Sequence, residues 1–117
     1  GQTYFYAEVK RMKKILETAE DKKVFFLIDE PLRGTNNKER LIGNQKYLTS
    51  TIKLEACGFI STHDLELTQL AQNEALVDNY HFSEKWDEED LVFDYKIKEG
   101  PSKSTNALKI LAREGLY

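Results

Sequence analysis

Two short apolar runs constrain this chain more than any other feature. Residues 24–28 (VFFLI) stop at Asp29 and Glu30, and residues 57–61 (CGFIS) stop at Thr62, His63 and Asp64. The first run is continuously apolar, which reads as a short strand buried on both faces, the kind found in parallel sheets. Parallel strands need a crossover, and one lies between the runs. PLRGTNN gathers proline, glycine and asparagine into a loop, and Asn36 or Asn37 can cap a helix carrying Leu41, Leu48 and Ile52. Asp64 is placed to cap a further short helix through DLELTQLAQ.

Upstream, Phe5, Val9, Met12, Leu16 and Ala19 recur at spacings of four, three, four and three, one face of a helix. The resulting order of helix, strand, helix, strand, helix predicts an α/β unit with right-handed crossovers. Ligands of such units lie beyond the carboxyl ends of the strands, where both polar clusters fall. Further on, ALVDNYHF and LVFDYKI read as two strands flanking an exposed acidic loop, SEKWDEED, and extending the sheet edge as a hairpin. After the turn EGPSKST, a last short helix contains Ala107, Leu108, Leu111 and Ala112.

At 117 residues the chain can hold one modest core, and one compact unit is the expectation. Seventeen basic and twenty acidic residues leave a net charge of −3, which supplies no chain-wide field for nucleic acid. No apolar run approaches the roughly 20 residues that cross a bilayer, so no membrane contact is expected in this segment. The lone Cys57 forms no internal disulfide and argues for a reducing, cytoplasmic setting.

Asp29 and Glu30 carry the strongest chemical signal. A carboxylate at a strand tip can hold Mg²⁺ while its neighbour polarises an attacking water, although acid pairs also close many ordinary strands. His63, beyond the second run, can donate to a phosphate oxygen or to that water, or simply cap the next helix or sit exposed. His81 has no carboxylate or cysteine at ligand spacing and reads as a packed or edge histidine. Cys57 reads as a small buried hydrophobe. Lys10, Arg11, Lys13 and Lys14 read as a solvated helix face, and Trp86 either makes an exposed contact or folds back over the hairpin. None of the six glycines precedes lysine, so the phosphate-cradling G-x-x-x-x-G-K-[ST] loop is missing.

Taken in order, GQTYFYAEV, FFLIDEPLRGTN, ISTHDLELTQLA, NYHF, LVFDYKIKEGPSKSTNAL and REGLY resemble the C-terminal ATPase domain of the MutS family, over essentially the whole chain. The resemblance implies an ABC-class P-loop ATPase fold: an α/β domain with a parallel sheet core, flanking helices and a β-hairpin extension. It implies a partial domain over residues 1–117, beginning just inside the signature loop and so without Walker A. Its ligands would be ATP and Mg²⁺. Asp29 would be the Walker B aspartate on the Mg²⁺ side, Glu30 the acid that orients or activates water, and His63 the switch histidine. Arg33, Gly34, Thr35 and Asn36 would form the loop facing a partner subunit. Gly1, Thr3 and Phe5 match the signature G-x-S-T-F, with Glu8 as the acid that follows, and would reach ATP held by the other subunit of a homodimer. Thr3 stands where the family usually has Ser, and Tyr4 replaces a smaller residue. The implied function is ATP hydrolysis coupled to binding of double-stranded or mismatched DNA through regions outside this chain, in mismatch repair. The alternative is a non-catalytic dimerisation or regulatory module of a MutS-like protein. The segment alone is expected to be inactive.

Overall fold

The computed structural model describes residues 2–88, 90–103 and 106–116, without the side chains of residues 2, 3, 86 and 106–109. It divides into two compact units, Gly1–Leu76 and Val77–Tyr117. Among the described residues no helix is long and apolar enough to cross a membrane.

The first unit follows the predicted order. Helix α1 (Gln2–Asp21) leads to β1 (Phe25–Asp29), α2 (Asn37–Lys53) and β2 (Cys57–Ser61), then a 3₁₀ turn, Leu67–Gln69, that runs into the one-turn helix α3 (Leu70–Asn73). Strands β1 and β2 pair in parallel from Phe25↔Cys57 to Asp29↔Ser61, so their carboxyl ends lie level. Asn36, not Asn37, caps α2: its side-chain oxygen accepts from the Glu39 amide at 2.8 Å.

Met12, Leu32 and Tyr47 form the core of this unit, with Phe5, Leu16 and Ile28 packed against them. The Tyr47 hydroxyl donates to the Met12 carbonyl at 2.8 Å, joining α2 to α1. Helix α2 turns Asn44, Tyr47 and Thr51 inward, while the predicted Leu41, Leu48 and Ile52 are half-buried. The reason lies in what the helix meets. The turn after β1 presents backbone, and the Asn44 amide donates to the Pro31 carbonyl at 3.1 Å.

Burial of the parallel strands departs from expectation. Phe26 is buried and Ile28 half-buried, but Phe25, Leu27 and Phe59 on the opposite face are 63%, 71% and 62% exposed. Side chains alternate across a strand, and within this unit the core lies on one side of the sheet only. Cys57 shares the open face and is exposed, not buried. Gly58 lies under the Phe26 ring, so close that a Cβ there would sit 2.2 Å from the Phe26 carbonyl oxygen and 2.5 Å from the ring.

The second unit contains β3 (Tyr80–His81), β4 (Glu84–Asp87), β5 (Asp90–Phe93), β6 (Lys98–Glu99) and the predicted last helix, α4 (Asn106–Arg113). The hairpin is β4 with β5, and β3 pairs with β6, both antiparallel. Two expectations are corrected. The acidic segment is not a loop, because Lys85 and Trp86 pair across the ladder with Val92 and Leu91, and the acids gather at the tip around Glu88, whose φ is 58°. Nor does the hairpin extend the parallel sheet: the described strands form three separate two-stranded sheets. His81 has the structural role read from sequence. Its Nδ1 lies 2.8 Å from the Gly100 carbonyl oxygen, and a carbonyl only accepts, so Nδ1–H donates.

Candidate functional site

The level ends of β1 and β2 put Asp29 directly opposite Ser61. The Ser61 hydroxyl donates to Asp29 Oδ1 and also accepts from the Glu30 amide at 3.1 Å, while that amide donates to the Ser61 carbonyl at 2.9 Å. Ser61 therefore ties the two acid-bearing residues to the second strand. Sequence alone assigned Ser61 no role; the signal available was a hydroxyl closing the second apolar run as Asp29 closes the first.

Past Asp29 the backbone turns sharply. Glu30 and Leu32 have φ values of 43° and 63°, the left-handed region that costs a side-chain-bearing residue about 1 kcal/mol or more. That turn carries the Glu30 carboxylate to the neighbouring strand end, where Oε1 meets His63 Nε2 at 2.6 Å. Glu30 is 27% exposed at its side chain and His63 89%. The acid and the imidazole, 33 positions apart in sequence, thus form one contact at the solvent-facing end of the sheet.

Glu30 has a second neighbour. Arg33 Nη1 lies 3.9 Å from Glu30 Oε2, and Arg33 Nη2 donates to the Tyr4 hydroxyl of α1 at 3.1 Å. The Tyr4 hydroxyl, then the Glu30 and Asp29 carboxylates, hold the Arg33 guanidinium still more firmly charged than usual. Tyr4, Arg33, Glu30 and His63 thus form a polar path from α1 to the segment that follows β2.

Asp64, expected to cap the next helix, is engaged elsewhere. Arg40 grips it with a two-pronged contact, Nε to Oδ2 at 2.7 Å and Nη2 to Oδ1 at 2.8 Å. A charge-assisted fork outweighs a single bond to a backbone amide, so the side chain turns toward α2 and only its carbonyl accepts from Leu67. The Arg40 hydrogen bond pulls the Asp64 carboxyl below its ordinary range, and Asp64, followed by Glu30, raises Arg40 in return.

The loop residues Gly34, Thr35 and Asn36 lead from this cluster into α2 and are engaged locally. Thr35 Oγ1 donates to Glu39 Oε2 at 2.6 Å, Asn36 caps the helix, and Gly34 packs against Phe5, with room for a Cβ only 3.1 Å from that side chain. Of the signature residues, Gly1 and the Thr3 side chain lie outside the described residues. Glu8 is buried, and its Oε1 has no hydrogen-bond partner among the described residues.

Chemically, the cluster offers a carboxylate touching an imidazole beside a second carboxylate. Among the described residues no group of three or more histidine, cysteine or acidic side chains could hold a metal ion. A single strand-tip carboxylate still fits Mg²⁺, which keeps several waters and is commonly held by one or two carboxylates together with substrate phosphates. Residues 1–116, nearly the whole chain, match MutS domain V, and the chain belongs to that family.

Proposed function

We propose that this chain supplies the water-activating part of an ABC-class ATP-hydrolysing site in a MutS-family protein, coupling ATP turnover to DNA binding in mismatch repair. The 2.6 Å contact between Glu30 and His63, level with Asp29 at the carboxyl ends of two parallel strands, carries this reading. Family membership supports it.

Glu30 is the residue that orients the attacking water and accepts its proton. His63 Nε2–H donates to Glu30 Oε1 and so holds the acid's orientation, and the exposed ring leaves Nδ1 to accept from the same water. Asp29, fixed by Ser61 through one carboxylate oxygen, is the residue that would face Mg²⁺. When bound, that ion would neutralise charge on the phosphates. A chain without the G-x-x-x-x-G-K-[ST] loop takes its phosphate cradle from elsewhere in the intact protein. In a homodimer Gly1 and Thr3, with the loop Gly34, Thr35 and Asn36, would face the nucleotide of the other subunit.

The test is Glu30→Gln in the intact protein. Loss of water positioning and proton acceptance should slow steady-state ATP hydrolysis about 10²- to 10⁴-fold while ATP still binds. Turnover equal to the parent would refute the assignment. A parent protein that dimerises without nucleotide and shows no turnover would support the non-catalytic dimerisation module instead.

A further inference from the structure

His63 must sit beside Glu30 to act with it, yet its imidazole is 89% exposed. Side-chain packing therefore contributes little to where the ring lies, and the backbone on either side must place it. On the amino-terminal side that backbone is fixed by Ser61, bonded to both Asp29 and Glu30. On the other side the residue next to His63 is Asp64, held by both prongs of Arg40.

We propose that Arg40 is a positioning residue for hydrolysis, holding His63 against Glu30 by clamping Asp64 to the first turn of α2. The clamp has the features this task requires. Both partners are only about one-fifth exposed at their side chains, 21% and 20%. A third bond, Arg40 Nη2 to Asn37 Oδ1 at 2.7 Å, aims the guanidinium along the start of the helix. The Asp64 amide donates to Thr62 Oγ1 at 2.9 Å and its carbonyl accepts from Leu67 at 3.0 Å, so the clamped residue organises the segment on both sides of itself. A planar fork fixes direction as well as distance, which a point charge does not. Arg40 thus joins the start of α2, into which the loop after Glu30 leads, to the segment that carries His63, and the geometry of the pair depends on both. This inference rests on Glu30 and His63 forming the hydrolytic pair.

The experiment combines turnover and hydrogen exchange on the intact protein. Arg40→Ala should lower kcat about 10- to 100-fold, the scale of misplacing a catalytic group by about an ångström, with KM for ATP changed by less than about threefold. Arg40→Lys, which keeps charge but loses the fork, should fall between the parent and Arg40→Ala. Adding Arg40→Ala to His63→Ala should cost nothing further, because a residue acting through His63 has no effect once His63 is gone. Amides of residues 62–67 should exchange faster in Arg40→Ala, while those of β1 do not change. Where Arg40→Ala yields too little folded protein, Asp64→Asn carries the same measurements. Unchanged exchange in residues 62–67 overturns the clamp whatever happens to turnover. Faster exchange with parental kcat overturns the positioning role, as does an additive loss in the double variant. Parental turnover in Glu30→Gln is a different failure: it removes the hydrolytic reading itself, and the catalytic part of this proposal with it.

Discussion

Gly58→Ala tests the packing that keeps the two strand ends together. A Cβ at this position would lie 2.2 Å from the Phe26 carbonyl oxygen and 2.5 Å from two atoms of the Phe26 ring. The ring can rotate away, but the carbonyl belongs to β1, which is paired with β2 along its whole length. An ordinary carbon–oxygen contact needs about 3.3 Å, so the strands must part by about 1 Å. Overpacking of this kind costs about 1–3 kcal/mol, and each ladder hydrogen bond weakened adds up to about 1 kcal/mol. The lower chain entropy of unfolded alanine returns less than about 1 kcal/mol. The expected net loss is about 2–4 kcal/mol, read as a lower urea midpoint by circular dichroism and as faster exchange of the β1 amides. Gly115→Ala is the control. There a Cβ meets nothing within 4 Å, but φ is 80°, so the cost is backbone strain alone, about 1 kcal/mol. A Gly58→Ala protein within about 0.5 kcal/mol of the parent, with β1 exchange unaltered, would refute the close packing of β2 beneath Phe26.

Asn36→Ala removes the α2 cap and should cost about 1 kcal/mol in urea denaturation, whereas Asn37→Ala, one residue on, should cost less. Burial pushes the Tyr47 phenol up to about 12 from an ordinary 10.0. Its folded pKa exceeds its unfolded one, so its contribution is fully present below pH 10 and is lost as pH rises from 10 toward 12, by at most about 2.7 kcal/mol. Denaturation at pH 8 and pH 11 measures this loss. Tyr47→Phe should flatten it, at a cost of about 1 kcal/mol at neutral pH for the bond to the Met12 carbonyl.

What could be read from sequence followed from periodicity and from abrupt ends. The four-three spacing of Phe5 to Ala19 gave α1, and the runs closing at Asp29 and Ser61 gave two parallel strands with their polar ends together. The pairing of Glu30 with His63 was legible because parallel strands of equal length place their exits side by side. Burial of both sheet faces is not met within this unit, because an apolar run states how much surface wants covering, not which segment covers it. The fork of Arg40 on Asp64 spans 24 residues and follows no periodic rule. Asp64 also looked like a helix cap, a local role that a stronger distant partner displaced. The hairpin strand Glu84–Asp87 was hidden because its acids suggested solvent, although solvent reaches one face of a two-stranded ribbon as freely as it reaches a loop.

The loop after Glu30 illustrates how the same residues serve two demands. Asn36 caps α2, Thr35 is bonded to Glu39, and Arg33 lies between Tyr4 and Glu30. Any use of these side chains toward a nucleotide would compete with those bonds, and giving up the Asn36 cap alone would cost about 1 kcal/mol. Backbone amides of the turn carry no such penalty where they are free, so the loop is best suited to present main chain, with its side chains keeping it rigid. Glu30 differs, because its two partners are exposed to differing degrees and hold opposite carboxylate oxygens, His63 on Oε1 and Arg33 near Oε2. Arg33 at 3.9 Å lies beyond hydrogen-bond distance whereas His63 is at 2.6 Å, so the Arg33 side of the carboxylate is the one a water can take over most cheaply. His63 then remains to fix the acid's orientation, which is why the clamp on the His63 loop, and not Arg33, is where loss of a distant ion pair should be felt in turnover.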